Sequence, residues 1–408
     1  MADRKLTSEL ISIVLVVFTI ALVVGTGIPP IKVFGFDLLA IYTPAFLLFL
    51  SLVWVVYEGY FTINTTRVLQ LTFFLYVCAI IPLIQIYNIS PPKISTFISA
   101  GTIIFSFTAI IKEENHIRKI EYALIGVFVL LIVVGIGELF TGVHLPASRL
   151  TSDRYTGKYA STIYLNRNNF GFFLAIMSPI ATYKLLSART PSHISFLLVV
   201  AIVSGGIISH VNGSRAATIS YIFGVITVLL GKTLKERASL FNQTPRIGSV
   251  IYIFSAAAFI SLPQLISNPF SEQNPGSLYN RWELMRRGSD YILSNFKTPA
   301  GLGGFDQATL TTGTQLPGTA HNWATQLGVE TGLIGLALFV ISMGILTDCL
   351  LQAYYSDRSD RALPLSVCFL IFPLNGLGPS NVLYQAPIFW ILVASGIATL
   401  MLRSCEIH

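Results

Sequence analysis

A histidine and an asparagine stand directly ahead of a strongly apolar run in GTAHNWATQLGVETGLIGLALF, residues 318–339. On a helix, His321, Thr325 and Gly328 follow at i, i+4 and i+7, so they share one small, polar face. Because free imidazole has a pKa of ~6.5, His321 needs little tuning to act as a general base or hydrogen-bond partner at a membrane surface. The alternative is that His321 caps a helix at the interface and Trp323 anchors it there. The sequence leaves both open.

Arginines form a second group of candidates. Arg215 stands in SHVNGSRAATIS, between two apolar runs. An arginine at the edge of hydrocarbon is costly unless it snorkels to the interface or finds an anion. Arg281, Arg286 and Arg287 lie in NRWELMRRGSDYILSN, where the alternative for each is a solvated surface arginine. Guanidinium binds phosphate in bidentate fashion and stays charged, so these residues predict a site for an anion such as a lipid diphosphate.

Asparagines precede another apolar run in YLNRNNFGFF, which contains Asn166, Asn168 and Asn169. Their side chains could hydrogen-bond sugar hydroxyls, or they could end a loop and cap the following helix. The stretch GLGGF, residues 301–305, fits a phosphate cradle of backbone amides, but a plain turn is the simpler interpretation. Glu138, at the outer end of a predicted span, is an intramembrane acid, a type of residue that is commonly functional.

The composition defines the environment of these residues. The chain has 408 residues, of which 53% are hydrophobic and 11% charged, whereas a soluble domain has roughly 25% charged residues. Apolar runs long enough to cross a ~30 Å hydrocarbon layer as helices recur throughout. The sequence therefore predicts an all-α polytopic membrane protein that forms a single integral membrane domain over residues 1–408.

We expect about 12 transmembrane helices, which leaves both termini on the same side. Most of the 26 basic residues fall in alternate loops and at the termini, and the positive-inside rule places these in the cytoplasm. The predicted spans cover residues 10–28, 38–57, 68–87, 96–111, 121–140, 169–186, 194–210, 215–231, 248–263, 333–350, 363–377 and 386–402.

The remaining basic residues lie on the opposite face, mostly in two longer segments. Residues 264–332 are the only long stretch of polar sequence, and we expect them to form a large, partly helical extracytoplasmic loop that caps the active site. Residues 142–168 form a second extracytoplasmic loop.

Two short helices are predicted within the larger loop. In the first, Trp282, Met285 and Ile292 share one apolar stripe, with Arg281 and Arg286 at its edge. The second covers HNWATQLGVETG and ends at Gly332, before the next span begins.

Missing motifs exclude several classes of protein. The four cysteines are scattered without a C-x-x-C pair, which supports neither a disulfide framework nor a thiolate metal site. The Walker lysine motif, H-E-x-x-H and G-x-S-x-G are also absent. The net charge of +7 reflects cytoplasmic loops rather than nucleic-acid binding. We expect no metal and no cofactor, so any reaction would use a donor already activated and already in the membrane.

Three stretches resemble the O-antigen ligase and O-antigen polymerase superfamily. They are GSRAA at an outer helix start, NRWELMRRGSDYILSNFKTPAGLGG, and AHNWATQLGVETGLIGLALF, which is the most specific. TGVHLPAS and YLNRNNFGFF also resemble the loop before the sixth span in such proteins. The likeness covers roughly residues 140–345. One departure is Arg167, where many relatives have proline, which leaves the role of Asn168 open.

The resemblance implies a GT-C-like fold and a multi-pass protein of the inner membrane whose active site lies on the periplasmic face. The donor would be a glycan linked to undecaprenyl pyrophosphate, and the acceptor another glycan or lipid A-core. By position, Arg215 and Arg281 would hold the pyrophosphate, and His321 would activate or orient the acceptor hydroxyl. Arg286 or Arg287 would assist, with Asn168 and Asn322 as further substrate-binding residues.

A transporter or flippase of lipid-linked glycans is the competing class. A flippase should place charges inside the bundle, along the transport path. The unexplained charges in this sequence concentrate on one face, which favours the enzyme.

Overall fold

Helices dominate the structure, a computed structural model. It describes residues 2–25, 31–33, 36–38, 49, 53, 91–145, 159–164, 166–188, 190–235, 246–269, 277–295, 298–310, 321–377 and 386–404. The helices are α1 (Ala2–Gly25), α2 (Pro91–Ile110), α3 (Glu114–Thr141), α4 (Arg167–Leu185), α5 (Ser192–Val211), α6 (Arg215–Lys235), α7 (Ile247–Leu265), α8 (Ser277–Ser294), α9 (Phe305–Leu310), α10 (Trp323–Tyr355), α11 (Ala362–Asn375) and α12 (Pro387–Ser404).

One antiparallel hairpin follows α1. Its strands, β1 (Ile31–Val33) and β2 (Phe36–Leu38), pair with Ile31 opposite Leu38. The all-α expectation therefore describes the bundle but misses this hairpin. Each strand has three residues, which is too short for the alternation of apolar and polar positions that marks a strand in sequence.

The helices follow the apolar runs. All predicted spans except 38–57 and 68–87 coincide with helices. The span 68–87 lies outside the described residues, and of the span 38–57 only residues 38, 49 and 53 are described. Among the described helices, α3, α5, α6, α7 and α10 are long and apolar enough to cross a membrane. The protein is thus a polytopic α-helical membrane protein, while the total of about twelve spans stays a prediction.

α10 is interrupted at Gly332, where the sequence predicts a break. Gly332 has φ 73° and ψ 177°, a conformation open to glycine but strained for other residues. Beside the break, the Val329 carbonyl accepts a hydrogen bond from the Ala300 amide at 2.9 Å. The GLGGF stretch therefore folds as a turn held against the break, with Gly301 and Gly303 at positive φ.

Small residues bring α7 and α10 into close contact. A Cβ at Gly344 would lie 2.7 Å from the Ser249 Cα, and one at Gly248 would lie 2.6 Å from the Thr347 Cβ. The Asp348 carboxylate accepts hydrogen bonds from the Gly248 amide at 2.6 Å and from the Ser249 amide at 3.1 Å. Close backbone approach at small residues is a common way to pack helices in a membrane.

α8 packs across the first part of α10. A Cβ at Gly288 would lie 2.3 Å from the Thr325 Cγ2, and one at Gly328 would lie 2.6 Å from the Ile292 Cδ1. The helix predicted from NRWELMRRGSDYILSN is thus present. Its position on α10 is set by two glycines that face each other's helix.

The buried stripe of α8 differs from the predicted one. Leu284, Gly288 and Ile292 are buried, whereas Trp282 and Met285 are only half-buried. The prediction followed the large apolar side chains. Because glycine adds nothing to apolar periodicity, the pattern could not reveal that Gly288 lies at the closest point of contact.

The two ends of the bundle differ in how their charges are balanced. Arg167 and Arg215 are the first residues of α4 and α6, and we call this the arginine end. At the opposite end, the basic-loop end, Lys235 pairs with Asp360 at 2.6 Å and with Asp357 at 2.7 Å. The basic-loop end contains the loops that the charge rule assigns to the cytoplasm. The side of the membrane that each end faces, and the location of both termini, stay predictions.

We predict that Gly288→Ala destabilises the protein. The new methyl group would overlap a methyl of buried Thr325, and overpacking of this kind typically costs ~1–3 kcal/mol. Gly126→Ala is the matched control, because a Cβ at Gly126 meets no atom within 4 Å and alanine is the better helix former. Thermal unfolding of both variants in nanodiscs measures the difference. Equal midpoints for the two variants would contradict the packing described here.

Candidate functional site

The start of α10 is capped and buried. The Asn322 Oδ1 accepts hydrogen bonds from the amides of Ala324 at 2.9 Å and Thr325 at 3.3 Å, as an N-cap residue does. Asn322 is 1% exposed, and its Nδ2 has no hydrogen-bond partner among the described residues. His321, immediately before it, is half-buried. The cap thus fixes the backbone beside His321, and the role of Asn322 in substrate binding stays a prediction.

Trp323 belongs to the core. It is fully buried, its Nε1 donates to the Pro373 carbonyl at 3.1 Å, and its ring lies 5.8 Å from that of Phe372 and 5.6 Å from that of Phe339. The alternative in which Trp323 anchors the helix at the membrane interface is therefore wrong. The indole instead ties the start of α10 to the end of α11.

The small polar face of α10 is covered by the protein itself. Thr325 and Gly328 contact α8, as described above, and Thr325 is 0% exposed. The sequence indicated that something other than lipid approaches this face, and that partner is α8. Of the three residues on the face, only His321 keeps partial exposure.

An asparagine also caps the start of α4. The Asn166 Oδ1 accepts hydrogen bonds from the amides of Asn168 and Asn169, both at 3.0 Å. Capping is therefore the function of Asn166. The half-buried Asn168 side chain makes no hydrogen bond within the part of the chain that the structure describes. Its role as a sugar-binding residue stays a prediction.

Two buried side chains hold the segment before α4 in place. The Glu138 Oε2 accepts hydrogen bonds from the amides of Ser161 at 2.7 Å and Thr162 at 2.9 Å. The Asn212 side chain accepts from the Ala160 amide at 2.9 Å and donates to the Ala160 carbonyl at 2.8 Å. Glu138, noted in the sequence as an intramembrane acid, thus binds backbone amides of its own chain and orders the loop.

Arg215 lies three positions after Asn212 and begins α6. Its side chain is exposed, and no carboxylate pairs with it across the described ranges of the chain. A cation at the first position of a helix lies against the positive end of the helix dipole, an arrangement that is unfavourable without an anion nearby.

Arg281 and Arg167 form a pair of neighbouring cations. The Arg281 Nε is buried and has no hydrogen-bond partner in the described residues. Burial, together with the nearby charge of Arg167, lowers the pKa of Arg281 from its ordinary value, although an arginine remains protonated at neutral pH. The Arg167 guanidinium lies 4.1 Å from the centre of the Tyr159 ring. Neither arginine pairs with a carboxylate in the part of the structure described.

Arg286 and Arg287 are balanced differently. The Glu283 Oε1 lies 2.9 Å from the Arg286 Nη2 and 3.2 Å from the Arg287 Nε. Although burial acts to raise it, the hydrogen bonds and charges of the two arginines lower the pKa of Glu283. Each predicted substrate-binding arginine thus already has a carboxylate partner. Whether either one assists catalysis stays a prediction.

The start of α4 links the elements that carry the predicted catalytic residues. A Cβ at Gly171 would lie 2.9 Å from the Ala217 Cβ, which places α4 against the start of α6. The Asn375 Nδ2 donates to the Phe172 carbonyl at 3.1 Å and so joins α4 to the end of α11. α11 in turn holds the start of α10 through Trp323.

Arg215, Arg281 and His321 therefore lie on elements that reach the arginine end, and Arg167 lies among those elements. In the sequence, Arg167 stands out only as a departure from the family pattern. The available signal was that its segment contains an arginine with no acidic residue from 159 to 169.

Comparison with known protein families bears directly on this region. Residues 198–340 match the O-antigen ligase family. The O-antigen ligase region contains Arg215, Arg281 and His321, and the match confirms the resemblance to the O-antigen ligase and polymerase superfamily. It covers less than half of the chain and is narrower than the likeness noted from the sequence, so Arg167 lies outside it. No curated protein sequence matches the chain.

The match supports a role of the ligase or polymerase type in membrane glycan biosynthesis. It says nothing about individual side chains. The arrangement at the arginine end therefore has to be judged on its own geometry and charge.

We predict that Glu138→Ala releases the segment 159–164 from α3. Two buried amides would lose their acceptor, and each unsatisfied group typically costs ~1–3 kcal/mol. Glu138→Gln is the matched control, since it keeps one acceptor oxygen and should have a smaller effect. Hydrogen exchange of the Ser161 and Thr162 amides reports the change. Unaltered protection in the alanine variant would show that the carboxylate does not hold this segment.

Proposed function

We propose that the protein is a membrane glycan transferase that uses a polyprenyl-diphosphate-linked oligosaccharide or polysaccharide as donor. A sugar hydroxyl, on another glycan or on lipid A-core, would be the acceptor. The observation that carries the proposal is the set of arginines at the arginine end that have no carboxylate partner in the described structure. Two of these arginines, Arg215 and Arg281, lie together with half-buried His321 in the region of the sequence that matches the O-antigen ligase family.

The backbone adds to the positive potential of this end. The first turns of α4, α6, α8 and α10 contain no acidic residue. Each helix start carries roughly +0.5 of an elementary charge from its aligned peptide dipoles. A site of this sign favours an anion with several acceptor oxygens, and diphosphate is such an anion.

The proposed reaction needs little beyond this charge and a base. The acceptor hydroxyl oxygen attacks the anomeric carbon of the donor sugar, and the bond from that carbon to the diphosphate oxygen breaks. The leaving diphosphate takes the electron pair of that bond. Arg215 and Arg281 stabilise its developing negative charge, which is where fixed cations lower the barrier most.

His321 is the proposed acceptor of the hydroxyl proton. Its backbone is fixed by the Asn322 cap, and its ring is half-buried where the covered face of α10 ends. A positioned base of this kind typically contributes ~10²–10⁴ in rate. Asn168 and the Nδ2 of Asn322 are the proposed hydrogen-bond donors to the sugars.

The proposed setting is the inner membrane, with the arginine end on the periplasmic side and membrane lipids around the bundle. The loops at the basic-loop end are rich in lysine and arginine, and the positive-inside rule supports this orientation. Ligase and polymerase differ only in acceptor. Both fit a donor-binding site of this kind.

A flippase of lipid-linked glycans is the second candidate. It would need charged side chains along a path through the bundle. Among the described residues, the fully buried titratable side chains that interrupt apolar spans are few, and Glu138 binds backbone amides near a helix end. This distribution favours chemistry at one end over passage through the middle.

We predict that Arg215→Ala, Arg281→Ala and His321→Ala each reduce glycan transfer by at least ~10²-fold, the scale expected for loss of one transition-state contact. Lysine at Arg215 or Arg281 should restore little, because an ammonium group cannot bind bidentately. The assay is transfer from a purified carrier-linked glycan by protein reconstituted in proteoliposomes.

Arg246→Ala is the control for loss of an exposed arginine, since Arg246 precedes α7 at the basic-loop end. It should transfer glycan like the unaltered protein. Retention of full activity by all three alanine variants at the arginine end would overturn the proposed mechanism.

A further inference from the structure

We propose that Arg167, supported on the ring of Tyr159, is a third diphosphate-binding cation that acts with Arg215 and Arg281. The inference rests on the proposed function and adds to it a binding residue and a positioning residue. Both lie outside the region that matches the O-antigen ligase family.

Tyr159 directly precedes three residues whose backbone is held by hydrogen bonds. Ala160 is held through both backbone polar atoms by Asn212, and Ser161 and Thr162 are held by Glu138. The backbone beside Tyr159 is therefore held in place, and the Tyr159 ring reaches Arg167 from a fixed part of the chain. Asn212, which does the holding, lies three positions before Arg215.

Arg167 contacts this ring from the first position of α4. Its guanidinium lies 4.1 Å from the ring centre, a distance at which a cation is attracted to the face of an aromatic ring. An aromatic ring is not a conventional hydrogen-bond acceptor, so this contact engages the charge of the guanidinium and leaves its N–H groups to other partners. A guanidinium held in this way keeps its hydrogen-bond donors for a ligand.

Two other cations lie on elements that neighbour Arg167. Arg281 lies near enough for its electrostatics to be affected by Arg167, and the Arg281 Nε is buried without a hydrogen-bond partner among the described residues. Gly171, one helical turn after Arg167, lies against the start of α6, where Arg215 stands. Like charges brought together repel unless an anion lies between them.

If Arg167 were only a solvated surface arginine, its contact with the Tyr159 ring would be explained, but its position beside another arginine would not. A solvated arginine has no reason to lie beside a partly buried second arginine, at the positive end of a helix without an acidic first turn. A ligand with two linked phosphates accounts for all three cations, because it offers several oxygens of full or partial negative charge. Diphosphate on a lipid carrier and free diphosphate share this chemistry.

The test measures diphosphate binding separately from catalysis. Inorganic diphosphate is titrated as an inhibitor of transfer by the full chain in nanodiscs, for the unaltered protein and for Arg167→Ala, Arg167→Lys, Tyr159→Leu and Tyr159→Phe. The Michaelis constants for lipid-linked donor and for acceptor are measured in parallel. Arg246→Ala is the control arginine, and thermal unfolding confirms that each variant is folded.

For Arg167→Ala we expect inhibition by diphosphate to weaken by about 10-fold or more, the scale of one charge-assisted contact. The Michaelis constant for donor should rise by a similar factor, and that for acceptor should stay unchanged. Lysine should recover part of the loss. Tyr159→Leu should weaken inhibition by about 3- to 10-fold through loss of the ring contact, whereas Tyr159→Phe should remain close to the unaltered protein.

Inhibition by diphosphate that is unchanged in Arg167→Ala, while Arg215→Ala and Arg281→Ala weaken it, would overturn this inference and leave the proposed function intact. Inhibition that is unchanged in all three alanine variants would overturn both this inference and the proposed function. If free diphosphate inhibits weakly and only the donor constant changes, the site recognises the lipid-linked form, which supports the inference.

Discussion

Uncompensated positive charge at helix starts is the constraint on which the arginine end depends. Arg167 and Arg215 each begin a helix, where the positive end of the helix dipole already lies. Arg281 lies near the start of a third helix and is partly buried beside Arg167. Such an arrangement opposes its own assembly in the absence of an anion. The rest of the structure must therefore hold these residues in place by other means.

Buried polar side chains and small residues provide that support. Glu138 and Asn212 bind the backbone ahead of α4, and Asn322 caps α10. The two asparagines carry no charge. The Glu138 carboxylate lies 3.6 Å from the His144 Nδ1 and pairs with no arginine among the described residues. Close contact at Gly171 and Gly288 then sets α4 against α6 and α8 against α10. Within the described residues, this framework gives no carboxylate partner to Arg167, Arg215 or Arg281, so their charge remains available to a ligand.

At the basic-loop end of the same protein, a cation at a helix terminus is paired with carboxylates. Lys235 lies in the last turn of α6, where a cation suits the negative end of the helix dipole, and it pairs with Asp357 and Asp360. The same helix thus begins with an unpaired arginine and ends with a paired lysine. This contrast argues that the lack of carboxylate partners for Arg167, Arg215 and Arg281 in the described structure is specific to these three residues rather than a general shortage of carboxylates.

Much of the fold could be predicted from apolar runs and helix breakers. The helix ending at Gly332 and the amphipathic helix around Arg281 both have strong local signals. The stripe of α8 was misplaced because its closest contact is a glycine, which periodicity ignores. One of the two interpretations of this region placed Trp323 at the interface, because tryptophan is common there. Its indole instead donates a hydrogen bond to α11, far away in sequence. The cation at Arg167 was missed for the same reason, since its meaning depends on neighbours that only the fold brings near.

The most direct test is a cryo-electron microscopy structure of the protein in nanodiscs with bound polyprenyl diphosphate. The account predicts diphosphate density at the arginine end, within hydrogen-bonding distance of the guanidinium groups of Arg215 and Arg281, with the His321 ring beside the bound diphosphate. Diphosphate bound at the basic-loop end, or Arg215 and Arg281 too far apart to contact a single diphosphate, would contradict it.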